Sequence, residues 1–295
     1  MVDAFTSTVE LFPRGLVYVG IGLVILGIGK LVQDFLTPYK INDQLRTKDN
    51  VALALSITGY YLGIVIVFLG AVYQPVALII DGGLGFTTDY WKDVLEVFLT
   101  SLVGVAVLNI ARIAVDKLVL YQFSTEKEII EDQNAGTGAV EAAVYVAVGL
   151  VIAGSVAGEG GGPETSAAFA ALGLVTLVLY TLFYQRTTSF DVHDEIERDN
   201  VAVGVALAGN LIAIGIVVLK AVFGDFTNWE DALASFFTFA VFGFGLLLAM
   251  RLVVDYAMFP RVKVADELAK DRNLGVAFIQ GSVLVGASLI LFFSI

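Results

Sequence analysis

Cysteine is absent from all 295 residues, and histidine occurs once, as His193. The first absence excludes disulfides and thiol chemistry. The two together leave no metal site built on Cys or His spacing. No serine, cysteine or second histidine is arranged with His193 as nucleophile and base, so neither catalytic residues nor a cofactor are expected and the chain reads as a non-enzyme. Basic residues are also scarce, 17 Lys and Arg against 29 Asp and Glu, a formal charge of −12. Nucleic-acid binding is therefore not expected. Met1 to Phe12 lack a basic n-region and a cleavage site, so no signal peptide is read.

Apolar residues dominate instead. They make up 58% of the chain, with a mean hydropathy of +0.85, too apolar for a soluble domain. A helix crossing a ~30 Å hydrocarbon core needs roughly 20 apolar residues and must satisfy its own backbone. Runs that meet this test lie at about 15–36, 50–73, 94–120, 136–157, 166–184, 200–223, 232–257 and 273–294. The expected fold is an all-α polytopic membrane protein of eight transmembrane helices, embedded in the lipid bilayer.

Lysine and arginine in short loops set orientation. The loops after runs one, three, five and seven hold eleven of them: Lys40, Arg46, Lys48, Lys117, Lys127, Arg186, Arg198, Arg261, Lys263, Lys270 and Arg272. The other side holds Arg14 and Lys92. Those four loops are expected in the cytoplasm, with both termini outside the cell membrane. Trp91 and Trp229 precede runs three and seven as outer interfacial anchors.

The eight runs form four look-alike out–in–out hairpins. Each cytoplasmic loop ends in an asparagine that opens the next helix: Asn50, Asn134, Asn200 and Asn273. Two stand in Asp-Asn-Val-Ala (49–52, 199–202) and two in Asp-x-Asn-x-Gly (132–136, 271–275), so hairpin types alternate. A shift of 139 carries Arg112, Asp116 and Asn134 onto Arg251, Asp255 and Asn273; a shift of 150 carries Asn50 onto Asn200. These offsets predict two parallel four-helix repeats, 1–158 and 159–295, related about an axis along the membrane normal. An amide oxygen at a helix start satisfies an orphan N–H, so the four asparagines are expected to be N-caps. The loops read as short interfacial helices, with Thr125 to Glu128 in capping-box spacing. The run 158–163 reads as a flexible link between the halves. Gly59-x-x-x-Gly63 and Gly20, Gly22, Gly27 and Gly29 are expected to let helices approach closely.

This pattern, a helix ending near Asp, a short polar loop, then Asn-Val-Ala or Asn-x-Gly opening an apolar helix, resembles the YjfL-like bacterial inner-membrane family, a domain of unknown function with a unit of about four helices. The resemblance implies an integral inner-membrane protein, associated in some bacteria with envelope-stress and polyamine-related genes. It implies no catalytic residue or substrate.

Charged groups at bilayer depth are costly and functional by default. Three hairpins carry a basic residue four positions before aspartate: Lys30/Asp34, Arg112/Asp116 and Arg251/Asp255. That spacing puts the two groups on one helix face, within reach of an ion pair. The third hairpin has Tyr180 and Tyr184 instead. Glu141, seven residues past Asn134, falls on the order of 10 Å into its helix. Its equivalent after Asn273 is Gln280. With rotation about an axis, those two hairpins would face a shared interior. Burial favours a protonated carboxyl there and a neighbouring Arg112 or Arg251 an ionised one, a balance suited to binding a proton or small cation. Asn210, in mid-helix, is expected to bond between helices. Two functions remain: passage or binding of protons, small cations or small solutes at Glu141, Gln280 and the charged pairs, or a scaffold whose cytoplasmic loops recruit a protein partner. Either is compatible with a homo-oligomer.

Overall fold

A computed structural model of the chain describes residues 2–82, 88–119 and 124–295, without the side chains of 2–11, 74–82, 112, 114–116, 118 and 119. Twelve helices follow one another among the described residues: α1 (Val2–Leu36), α2 (Ile41–Thr47), α3 (Val51–Gly82), α4 (Thr88–Val119), α5 (Thr125–Ile130), α6 (Ala135–Val156), α7 (Pro163–Thr187), α8 (Val192–Glu197), α9 (Val201–Val222), α10 (Trp229–Val253), α11 (Val264–Ala269) and α12 (Leu274–Ser294). Eight are long and apolar enough to cross a membrane, which makes the chain a duplicated, all-helical, multi-pass membrane protein. The other four, α2, α5, α8 and α11, are single short helices in the loops of the four hairpins.

The spans lie in two layers. The second helix of each hairpin forms an inner row in the order α3, α6, α9, α12, and the first helices, α1, α4, α7 and α10, cover one face of it. Each covering helix from α4 onward sits over a seam: α4 touches α3 and α6, α7 touches α6 and α9, and α10 touches α9 and α12. The inner helices approach to backbone contact because small residues meet at their crossings. A Cβ on Gly63 would stand 2.7 Å from the Tyr145 carbonyl oxygen, and one on Gly149 2.8 Å from that of Gly63. At the next crossing a Cβ on Gly215 would fall 2.8 Å from the Ala147 Cα, and at the third one on Gly209 would fall 2.5 Å from the Gly281 Cα. In the first hairpin Gly22 and Gly29 pack against Phe68 and against Ile64 and Tyr60, whereas Gly20 and Gly27 face open space.

This row corrects the expected arrangement about an axis. Closure by a two-fold would bring α3 and α12 together as it brings α6 to α9, but α3 and α12 are the two ends of the row and form no packing interface. α9 stands between α6 and α12, so the second and fourth hairpins have no shared interior. The core is centred on α6 and α9, which bury most of their residues, while α1 and α10 leave most of theirs to lipid.

Helices also run past the apolar stretches: α3 continues to Gly82 and α4 begins at Thr88. The cap of α5 is Ser124, whose hydroxyl accepts from Lys127 N; Thr125 lies in the first turn. The link between the halves is fastened down: Phe226 N donates to the Glu159 carbonyl and Glu159 N to Asp225 Oδ1, both at 2.8 Å, and Gly160 takes a φ of +77°.

Overpacking of this order costs about 1–3 kcal/mol. Gly149→Val is therefore expected to lower the unfolding free energy in detergent by at least that amount. Gly245→Val, on a helix face with nothing within 4 Å, is expected to leave the melting temperature unchanged. Equal effects of the two would contradict the backbone contact between α3 and α6.

Candidate functional site

Two polar assemblies occupy the seams next to the short loop helices. The first is a repeated relay around the cap asparagines. In each loop the residue before the asparagine adopts a left-handed backbone, Asp49 at φ 48°, Gln133 at 54°, Asp199 at 56° and Arg272 at 50°, an uncommon conformation for a side-chain-bearing residue. It turns the chain so that the asparagine N–H reaches a carbonyl in the preceding short helix: Asn50 to Gln44, Asn134 to Glu128, Asn200 to Glu195 and Asn273 to Glu267, at 2.8–3.3 Å. The Oδ1 of each asparagine accepts from the backbone N–H three residues on, Leu53, Thr137, Val203 or Val276. In the last three loops one Nδ2 hydrogen goes to the carboxylate of the same Glu that supplied the carbonyl.

The other Nδ2 hydrogen leaves the hairpin. Asn50 Nδ2 donates to the Ile129 carbonyl at 2.8 Å, Asn134 Nδ2 to Ile196 at 2.6 Å and Asn200 Nδ2 to Leu268 at 2.9 Å. Each hairpin is thus tied to the next one, always in the same direction. Asn273 begins the last inner helix and has no further hairpin within the chain.

The second assembly surrounds Glu141. Gly138 and Ala142 bring α6 onto Ala52 and Gly59 of α3. That crossing presses Ser56 against Glu141, and the Ser56 hydroxyl donates to Glu141 Oε2. Both side chains are almost wholly buried, at 3% and 2% exposure. One turn on, Tyr60 and Tyr145 meet edge to face with ring centres 5.0 Å apart. Gln33 Nε2 donates to the Tyr145 hydroxyl at 3.1 Å, Tyr60 O–H donates to the Gly29 carbonyl at 3.2 Å, and Asn109 Nδ2 donates to the Tyr60 hydroxyl at 3.2 Å. These separate contacts tie α1 to α6 and to α3, α4 to α3, and α3 to α6. Sequence reading passed over Ser56, Tyr60, Tyr145, Gln33 and Asn109; the signal was that Ser56/Tyr60 and Glu141/Tyr145 repeat one four-residue spacing on facing helices.

The charged pairs do not join this assembly as expected. Lys30 and Asp34 are exposed on α1. The side chains of Arg112 and Asp116 lie outside the described residues. Arg251 and Asp255 make no ion pair within 4 Å, because the helix widens into a π-helical turn at Val254–Met258 and the i,i+4 alignment is lost. Arg251 turns to the neighbouring hairpin instead: Nη2 donates to Thr188 Oγ1 at 3.4 Å and the guanidinium lies 5.1 Å from the centre of the Tyr184 ring, a cation–π contact. Gln280 is separated from Glu141 by α9. It is 2% exposed, its Oε1 has no hydrogen-bond partner, and it borders a cavity of about 30 Å³ with Arg251, Asp255, Tyr184 and Thr188, room for about one water. Asn210 joins helices as expected, accepting from Tyr180 O–H at 3.5 Å.

A family model described as Domain of Unknown Function (DUF350) matches the chain twice, over residues 7–156 and 161–295. The chain belongs to the DUF350 family. Among curated relatives, a UPF0719 transmembrane protein of Aquifex aeolicus (strain VF5) is 23% identical over 263 residues, 87% of this chain and 90% of that protein. The UPF0719 transmembrane protein YshE of Bacillus subtilis (strain 168) is 27% identical over 124 residues, 42% of this chain but 87% of its own length. The stretch matched to YshE is thus about as long as one of the two repeats of this chain and makes up most of that protein. No solved structure matches the chain.

The relay makes two predictions. Asn134→Ala removes a cap and orphans the buried Ile196 carbonyl, an expected loss of about 2–4 kcal/mol; Asn273→Ala removes a cap that crosses to no other hairpin of its own chain and is expected to cost the single chain about 1 kcal/mol. Denaturation of the two variants in the same detergent distinguishes them. Burial, reinforced by Asp132 and Asp199, pushes the Glu128 carboxyl above its ordinary 4.5, against the Asn134 hydrogen bond. The folded protein then holds this proton more tightly than the unfolded chain, so stability falls as pH rises from the ordinary carboxylate range through the raised value. Glu128→Gln keeps an acceptor for Asn134, as Gln44 occupies this position in the first loop, and is expected to flatten that slope in melting curves.

Proposed function

We propose that this DUF350 protein is a non-enzymatic protein of the inner membrane, with its four loop helices in the cytoplasm and both termini outside, and that Glu141 is an intramembrane binding site for a proton or small cation. The orientation rests on the eleven basic residues in those loops and in the helix ends that enter them. The resemblance to the YjfL-like family rests on the Asn-Val-Ala and Asn-x-Gly phrases. One observation carries the site: a carboxyl buried two turns inside α6, held by a serine hydroxyl, with two hydrogen-bonded pairs one turn on, Gln33 with Tyr145 and Asn109 with Tyr60, whose tyrosine rings meet edge to face. A carboxyl out of water is rare in a span and exchanges a proton or cation only if polar groups hold both of its states. Hydroxyls do so because each can donate or accept.

A second reading has its own support. The inner row is packed backbone to backbone around Glu141, and the relay joins the four loops into one strip, as a rigid scaffold for a cytoplasmic partner would require. Infrared difference spectra on acidification separate the two. The binding reading expects a protonated-carboxyl band that disappears in Glu141→Gln, whose fold is unchanged, and a loss of pH-driven flux in liposomes if binding leads to passage. Identical spectra for the two proteins would remove the site, and loss of partner capture on altering 191–199 would favour the scaffold.

A further inference from the structure

The row of inner helices ends in two unlike faces that repeat, in sequence and register, the two faces joined at its centre. Where the halves meet, α6 packs on α9: Gly136 lies under Gly204, with 2.5 Å from a Cβ on Gly204 to the Gly136 Cα, and Ala147 lies under Gly215. The shift of 139 that carries Asn134 to Asn273 carries Gly136 to Gly275 and Ala147 to Gly286 on α12. The shift of 150 that carries Asn50 to Asn200 relates Gly204 to Ala54 and Gly215 to Val65 on α3. A Cβ on Gly286 meets nothing within 4 Å and one on Gly275 meets only its own cap residue, Asn273. At the central joint a glycine on α9 faces an alanine on α6; at the ends a valine on α3 is matched by a glycine on α12. The fit is conserved with the sizes exchanged.

The relay gives the same register. Asn134 Nδ2 crosses the central joint to the Ile196 carbonyl. Its equivalent, Asn273, is exposed and donates to Glu267 of its own loop. The residue equivalent to Ile196 in the first loop is Leu45, which follows Gln44 as Ile196 follows Glu195. The chain therefore carries one donor end and one acceptor end of a contact that it makes three times internally.

We propose that copies of this chain associate head to tail, α12 of one packing on α3 of the next in the register of the central joint, with Asn273 Nδ2 donating to the partner subunit's Leu45 carbonyl. The contact is heterologous, so it closes into a ring or continues as a row. Its basis is the continuity of an interface already present within the chain, and it is independent of any role for Glu141.

Because the chain has no cysteine, introduced pairs report cleanly. In the central joint a Cβ on Gly136 is 3.3 Å from the Val201 Cα, close to disulfide range, and the equivalent pair at the ends is Gly275 with Val51. Differently tagged Val51→Cys and Gly275→Cys chains, co-expressed and oxidised in native membranes, are expected to give a mixed covalent dimer, with no dimer when either is expressed alone. The wild-type protein is expected to have a mass at least twice 31.5 kDa in detergent. Gly286→Leu, in open space on the single chain, is expected to reduce that mass to the monomer while the helical circular-dichroism spectrum stays unchanged. A monomeric wild type, dimers of Val51→Cys or Gly275→Cys with themselves, or an unchanged mass in Gly286→Leu would each overturn the proposal.

Discussion

An asparagine amide has two N–H donors and one carbonyl, and the fold depends on where those three groups point at the start of each inner helix. A helix that begins between other helices cannot satisfy its first N–H groups with water, and beside lipid there is nothing else to satisfy them. The carbonyl of Asn50, Asn134, Asn200 or Asn273 therefore caps its own helix. In three of the four, that leaves an N–H pointing across the seam to a carbonyl in the next loop. The hairpins are thereby ordered along a line, and their depth in the membrane is matched to within a hydrogen bond. Small residues then set the separation. Glutamine or serine at the same place would cap less well or lack the second donor, which is why one residue type stands at all four positions.

The polar site follows from this packing and differs between the halves. Bringing α6 onto α3 at Gly138 and Gly59 sets Ser56 against Glu141, to which its hydroxyl donates. In the second half the equivalents are Ala206 and Gln280, Asn210 replaces Tyr60 and Leu284 replaces Tyr145. The ionisable network has therefore been kept in one copy of the unit only. The other copy holds its charge on Arg251, which stacks on Tyr184, the residue that takes the place of Asp34 in the duplicated pattern. A carboxylate in the first hairpin is thus answered in the third by an aromatic ring that draws a cation from the hairpin beside it.

Much of this was legible in the chain as letters. Eight apolar runs, the repeat offsets and the four asparagines required only hydropathy and a constant shift, because span length and capping are local properties. The order of helices in the row was not legible. Equal spacing along the sequence is compatible with rotation or with translation, and the choice is made by which seam a small residue lies in, as Gly204 on Gly136 shows. The expected pairing of Arg251 with Asp255 failed because a π-helical turn at Val254 cannot be read from the spacing of the two residues. Lys30 and Asp34 were counted among the intramembrane site candidates from the spacing they share with the other pairs; exposure depends on the covering layer, and α1 stands at its edge. Ser56 was overlooked because a hydroxyl in a span usually bonds to its own helix, as Ser101 does to Val97.

The uncovered face of the inner row bears on what any site in this protein can do. All four inner helices line a groove there of about 590 Å³, and its walls are apolar apart from Thr58 and Ser282. Glu141 does not line it; the groove side of α6 presents Ala135, Ala139, Ala142, Ala143 and Val146. An apolar surface of this kind holds acyl chains or a neighbouring helix readily, and it excludes ions, since a hydrophobic constriction dewets. Traffic of protons or cations along the groove would leave them without ligands for most of the span, whereas the packed side of α3 and α6 offers hydroxyls and amides within two turns of each other, from Ser56 and Glu141 to Tyr60, Tyr145 and Gln33. The two faces of one helix row thus differ in character, apolar on one side and bearing a cluster of hydrogen-bonded polar groups on the other. Chemistry that involves charge belongs to the second.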